Sequence, residues 1–181
     1  GVAGFVGDTA FSVDHGFYEE PIRVEISTDT DGAEIRYTLD GTWPGEGVGR
    51  RYTGAITIDS TTTLRAVALK PGFSSSNIDT QTYLFLDDVI DQSTAPKVGP
   101  SDDRVSFPRF WGFTSADYQM DPDVTGNALY ADRMRDALVA IPTLSLTLPQ
   151  ADIFGSGGLY SNPGGSAERR TSAELFSSDG T

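Results

Sequence analysis

The sequence predicts a mainly β fold: an antiparallel β-sandwich of immunoglobulin or fibronectin type, followed by a smaller α+β segment with one clear helix. Three observations carry this reading. Apolar and polar residues alternate at period two from Phe11 to Leu86. Turn-forming residues break that alternation at short intervals, as in sandwiches of short strands. One later stretch switches to helical spacing.

The elements follow in order. Ile22, Val24 and Ile26 alternate with Arg23, Glu25 and Ser27, and Ile35, Tyr37 and Leu39 with Glu34, Arg36 and Thr38. Side chains on a strand point to opposite faces in turn, so each segment buries one face and wets the other. Ile56 and Ile58 repeat the pattern. Thr63 to Leu69 is apolar on both faces apart from Arg65, which predicts a central strand, and Thr82 to Leu86 closes the set. Asp29-Thr30-Asp31-Gly32, Asp40-Gly41, Lys70-Pro71-Gly72 and Ser74 to Asn77 supply the turns.

Composition narrows the function. The 181 residues carry 13 Lys+Arg against 26 Asp+Glu, a formal charge of −13, with 38% hydrophobic, 22% charged and 10% aromatic residues. The apolar share is low for a globule, yet the aromatic share is too high for a disordered chain. With no Cys there is no disulfide, thiol nucleophile or thiolate zinc site, and a single His excludes a two-histidine metal cluster within the chain. The negative field opposes nucleic acid and anionic membranes, and no stretch approaches the roughly 18 apolar residues of a membrane-spanning helix. The chain opens at Gly1 without Met or a leader-like segment, and Ser178-Asp179-Gly180-Thr181 reads as a turn toward another strand. We therefore expect a stretch of a longer protein.

Three parts are predicted: a sandwich over 1–86, an acidic, Pro-bearing linker with an aromatic cluster over 87–116, and an α+β part over 117–181. The linker holds Asp87-Asp88, Asp91, Pro96, Pro100, Asp102-Asp103 and Pro108 without periodicity. Phe107, Phe110, Trp111 and Phe113 give it more aromatic surface than a free linker carries, so they are expected to pack against a domain. Tyr130, Met134, Ala137, Leu138 and Ile141 form a helical stripe, with Asn127 to cap its start and Pro142 to end it. Leu144, Leu146 and Leu148 alternate as a strand, Gly155 to Tyr160 is a turn, and Thr171 to Phe176 is a further strand.

Two resemblances accompany these patterns. Gly16-Phe17-Tyr18, Pro21-Ile22, Ile35-Arg36-Tyr37-Thr38-Leu39-Asp40-Gly41, Pro44, Tyr52-Thr53-Gly54 and Thr63-Leu64-Arg65-Ala66 resemble the chitobiase/β-hexosaminidase C-terminal-type module over roughly residues 9 to 86. The resemblance implies a structural module appended to secreted enzymes and surface proteins, without catalytic residues. Trp43 stands where that family more often has a small or polar residue. Asp117 to Pro122, Ile141-Pro142-Thr143-Leu144-Ser145-Leu146, Asp152-Ile153-Phe154-Gly155 and Gly158-Leu159-Tyr160-Ser161-Asn162-Pro163 resemble the opening segment of CotH-type bacterial surface proteins, whose core is similar to an atypical protein kinase. Here Ala167-Glu168-Arg169-Arg170 precedes Ala173-Glu174-Leu175, where that family commonly has Trp-Glu-Arg. The nucleotide- and metal-binding parts of such a kinase lie outside this resemblance.

No catalytic site is predicted. His15 beside Asp14 lies in a turn with no nucleophile elbow, and reads as a surface histidine. Gly155, Gly157 and Gly158 lack the following Lys and helix of a phosphate loop, and read as a turn. Asp121, Asp123, Thr125, Gly126, Asn127 and Asp132 nearly trace a calcium loop, with oxygens at positions one, three and five, Gly at six and Asp at twelve. Against calcium stand Ala128 at position eight, the short Asp at twelve and the stiffening Pro122; the plainer reading is an acidic helix start. The Asp29/Asp31 and Asp102/Asp103 pairs read as solvated turns. Trp43, with Tyr52 nearby, is the candidate platform for a sugar, whose C–H face stacks on such rings, and a carbohydrate-binding module proper would require both exposed on one surface.

The expectation is thus a non-catalytic accessory, spacer or docking unit of an extracellular or cell-surface bacterial protein. It has no required cofactor, with calcium at Asp121, Asp123 and Asp132 as a possibility. Its partners are the downstream domain of the same chain and a polysaccharide contacted through Trp43 and Tyr52. The rival expectation is the N-terminal section of a CotH-like kinase, inactive as this stretch.

Overall fold

The computed structural model describes residues 1, 3–99, 105–111, 113–162 and 164–178. Strands β1 (Thr9–Phe11), β2 (Gly16–Tyr18), β3 (Ile22–Val24), β4 (Ile26–Thr28), β5 (Glu34–Thr38), β6 (Arg50–Arg51), β7 (Ile56–Ile58), β8 (Thr62–Leu69) and β9 (Asp79–Phe85) build the sandwich. One layer is a five-stranded sheet in the order β2-β9-β8-β5-β6, antiparallel except for β2 against β9. The ribbons β1–β4 and β3–β7 supply further antiparallel pairs. Between the layers lies a core of Val24, Ile26, Leu39, Ile58, Leu64, Ala66, Tyr83 and Phe85.

The period-two pattern explains this core. Val24 and Ile26, Leu39, Ile58 and Leu64 are inward members of the alternating runs, each worth about 1.5–3 kcal/mol when withdrawn from water. β8 is the middle strand of its sheet, as its apolar character on both faces predicts. The run Ile22 to Thr28, expected as one strand, is two. At Glu25 the chain changes partner from β7 to β1, and Ser12 bonds both main-chain groups of Glu25.

Beyond β9 come α1 (Leu86–Ile90), the short pairs β10 (Lys97–Val98) with β11 (Val105–Ser106) and β12 (Phe110–Trp111) with β13 (Thr114–Ser115), then α2 (Pro122–Thr125), α3 (Met134–Val139), β14 (Thr143–Thr147), α4 (Gln150–Phe154) and β15 (Ser172–Phe176). The segment expected as an extended linker therefore contains one helix and two small hairpins. Among its aromatics, Phe107 and Trp111 pack against Tyr118, Phe154 and Tyr160 in a closed circuit of rings with centroids 5.3–6.4 Å apart. Phe110 and Phe113 are exposed instead. Pro100, Asp102, Asp103 and the turn at Asp179-Gly180-Thr181 lie outside the described residues.

The expected helix is shorter than its stripe. A 3-10 turn at Ala131–Arg133 precedes α3, which ends at Val139, and of the stripe only Met134 is buried. Asn127 closes a local turn, its side chain accepting from Leu129 N–H, and so does not cap α3. β14 and β15 pair antiparallel over five residues, from Thr143↔Phe176 to Thr147↔Ser172. On this ribbon Leu144, Leu146 and Leu175 point outward and are more than half exposed. Its polar residues point inward, onto the sandwich.

Candidate functional site

The outer face of the five-stranded sheet explains that orientation. On β8 and β9, Leu64, Ala66, Tyr83 and Phe85 fill the core, so Arg65, Thr80 and Thr82 project from the other face. In an isolated sandwich they would be solvated. Here the β14–β15 ribbon covers them with matching polar groups. Thr80 Oγ1 donates to Ser172 Oγ at 2.8 Å, and the Thr82 and Ser145 hydroxyls lie 3.0 Å apart.

Arg65 is the centre of the junction. It is fully buried, donating through one terminal nitrogen to Gly41 O at 2.5 Å and through the other to Thr147 O at 2.5 Å and Ser172 Oγ at 3.1 Å. Its guanidinium carbon lies 3.8 Å from the centroid of the Trp43 ring, and that of Arg170 lies 4.2 Å from the same centroid. Two planar cations cannot share one face of an indole at those distances, so the ring is held between them. Burial first, and the Arg170 charge second, push the Arg65 pKa down to about 10, while Glu174 and Asp40 pull it up. Arg65 Nε is buried without a hydrogen-bond partner.

Gly41 makes the close approach feasible. It takes a φ of +76°, and a Cβ there would stand 3.3 Å from the main-chain oxygen of Leu148. A side chain would be strained in itself and would press the end of β14 away.

Glu174 is the second buried charge of the junction. One carboxylate oxygen accepts from Thr82 N–H at 2.9 Å and the other from Thr82 Oγ1 at 2.5 Å. His15 Nδ1 lies 3.4 Å away, and the His15 ring meets the Phe176 ring edge-on at 4.9 Å. Burial raises the Glu174 pKa above its ordinary value; the Thr82 hydrogen bonds, then His15 and Arg65, act in the opposite direction. The arrangement is chemically a clamp: buried donors and acceptors answer each other across two segments distant in sequence.

The residues predicted from sequence fall as follows. Trp43 is half-buried between the two arginines. Tyr52 packs against the sandwich core, its ring edge-on to Tyr37 and its hydroxyl accepting from Ile26 N–H at 3.1 Å. The two are therefore in separate environments and do not form a common exposed platform. Asp121 accepts from Asp123 N–H as the cap of α2, and Asp123 and Asp132 are exposed. Among the described residues no three His, Cys, Asp or Glu side chains are grouped to hold a metal ion, so Asp121, Asp123 and Asp132 do not meet. Asp121 Oδ1 caps α2, and the turn at Asn127 carries the chain onward before Asp132. Gly155 to Gly158 forms a turn after α4, with Gly158 N–H donating to Gly155 O at 2.8 Å. His15, expected as a surface residue, belongs to the junction.

Sequence reasoning missed Arg65, Glu174 and His15 as one constellation. The available signal was Arg65 itself, a charge in an otherwise apolar central strand, together with Glu174 in a strand of alternating residues. Both are charges placed where an inward neighbour must answer them.

The comparisons bear on the first part of the chain. Neither the curated proteins nor the solved structures gave a match. The resemblance of residues 117–176 to CotH-type proteins has no support from the comparisons. Among the described residues no helix is long and apolar enough to cross a membrane. Residues 13–80, inside the span expected from the sequence, match the family model described as the Chitobiase/beta-hexosaminidase C-terminal domain.

Proposed function

We propose that this chain is a non-catalytic accessory unit of a secreted or cell-surface bacterial protein. Its sandwich acts as a docking platform for the segment that follows it in the same chain, and contacts carbohydrate. The observation that carries the docking reading is the buried Arg65, which bridges Gly41 O on the sandwich and Thr147 O on the ribbon. A flexible spacer would leave both faces solvated. Here the outer sheet face is committed to its own chain through Arg65, Thr80, Thr82 and Glu174. The carbohydrate and extracellular parts of the reading are supported by the match over residues 13–80 to a domain type that is a non-catalytic accessory.

Thermal unfolding of the intact chain, followed by far-UV circular dichroism and by tryptophan fluorescence, tests the docking. Trp43 reports on the junction and Trp111 on the aromatic circuit. A docked unit gives coincident transitions from both probes. Separate transitions would mean that the sandwich and the later segment fold independently, and would contradict the reading.

A further inference from the structure

The ribbon covers only one end of the outer sheet face. In the register of β5 with β8, Thr38 pairs with Arg65 under the ribbon, Arg36 with Val67, and Glu34 with Leu69 at the far end. That far end is open, and there the loop at 45–49 and the turn at 70–75 rise beside the sheet to enclose a groove of about 720 Å³. This volume falls within the range of small-ligand sites.

Its lining is chemically mixed. On the floor Arg36 Nε donates to Glu34 Oε1 at 2.7 Å, and Arg36 reaches Gly49 O at 3.2 Å, which fixes the guanidinium in place. On one wall Lys70 Nζ donates to Asp31 O at 2.8 Å and lies 4.9 Å over the half-buried Phe73 ring. On the other wall Glu46 is exposed, and its carboxylate has no hydrogen bond or ion pair among the described residues. Two carboxylates and two cations give the lining no net charge, within a chain of net charge −13.

We infer that this groove, rather than Trp43 and Tyr52, is where the chain contacts an uncharged saccharide; the inference rests on the carbohydrate part of the function proposed above. Sugar hydroxyls both donate and accept, so they are met by fixed N–H donors on Arg36 and Lys70 alternating with carboxylate acceptors on Glu34 and Glu46. The apolar C–H face of a pyranose needs an aromatic or aliphatic wall, which Phe73 and Leu69 provide. A polyanion gains nothing from a lining of zero net charge and is repelled by the chain as a whole.

The test is titration calorimetry of the intact chain with three probes: tetra-N-acetylchitotetraose, cellotetraose and an oligogalacturonate of equal length. Each is repeated with Glu46→Gln and Phe73→Leu, with thermal midpoints measured alongside. The expected result is binding of at least one neutral tetrasaccharide and weaker or no binding of the anionic one. Glu46→Gln should weaken that binding about tenfold, as for loss of one charge-assisted hydrogen bond, and Phe73→Leu about fivefold. The exposed Glu46 side chain makes no hydrogen bond or ion pair among the described residues, so its substitution keeps the test valid if Phe73→Leu perturbs the turn. Binding that both variants retain in full would overturn the groove while leaving the carbohydrate reading in place. Preference for the anionic probe would overturn the uncharged ligand class, and no binding to any probe would overturn the carbohydrate reading and the groove with it.

Discussion

The Arg65 guanidinium donates at 2.5 Å to the main-chain oxygen of Thr147, 82 residues later in the chain. This bond joins the central strand of the sandwich to the end of β14. Arg65 is fully buried, so its partners carry the cost of withdrawing a charge from water.

Replacing Arg65 with Met keeps the apolar stem and removes the charge. Gly41 O then loses its arginine donor, Thr147 O keeps only the hydroxyl of Thr171 at 2.9 Å as a side-chain donor, and Trp43 loses one of its two cations. We expect a loss of about 2–4 kcal/mol, read from urea unfolding. The orphaned Nε disappears as well, which keeps the loss below that of a fully satisfied buried arginine. A variant as stable as the parent would show that the junction is not held by this residue.

Trp43→Ala leaves a gap between Arg65 and Arg170 and brings two cations face to face. For a half-buried indole with cation–π contacts on both faces we expect a loss of about 2–3 kcal/mol. Trp43→Phe should recover much of it, because an aromatic face remains. Urea midpoints of the two variants make the comparison.

The pH dependence follows from Glu174. Its folded pKa is raised, chiefly by burial, above the ordinary 4.5. The folded chain thus holds this proton more tightly than the unfolded chain does. The stability this contributes is fully present below about pH 4.5 and is lost as pH rises through the raised value. Glu174→Gln removes that dependence while still able to accept from Thr82 N–H. The thermal midpoint of the parent relative to Glu174→Gln should therefore be higher at pH 4 than at pH 7, and a flat or reversed difference would contradict the burial account.

Gly49 is a position where sequence has little freedom. Its φ is +83°, and a Cβ would lie 2.5 Å from the main-chain oxygen of Tyr37 on β5. Gly49→Ala combines left-handed strain with a backbone clash, and should destabilise by about 3 kcal/mol in thermal or urea unfolding. Gly32, at φ +70° with open space around it, should lose only about 1 kcal/mol on the same change.

The sandwich was legible because period two is a local signal. Val24, Leu39, Ile58 and Leu64 can each be assigned to the core from their immediate neighbours. The split at Glu25 was not legible, since it depends on which strand lies alongside. The later segment was less legible for a related reason. Leu144 and Leu146 alternate with polar residues, and the ribbon turns its polar side, with Phe176, inward because the surface it meets is Arg65, Thr80 and Thr82. Alternation fixes that two faces differ and leaves open which one is covered. The helical stripe failed similarly: Tyr130 and Ile141 have the right spacing but are exposed, Leu138 is half-buried, and only Met134 is buried. Trp43 and Tyr52 were singled out as aromatic residues near each other in sequence, whereas their roles depend on arginines and core residues far from them.

Amide hydrogen exchange on the intact chain, parent against Arg65→Met, tests the docked junction most directly. The account predicts that amides of β14 and β15 in the parent are protected by an opening free energy close to that of β8, and that Arg65→Met lowers ribbon protection far more than it lowers that of the core strands. Ribbon amides that exchange freely in the parent while β8 stays protected would contradict it.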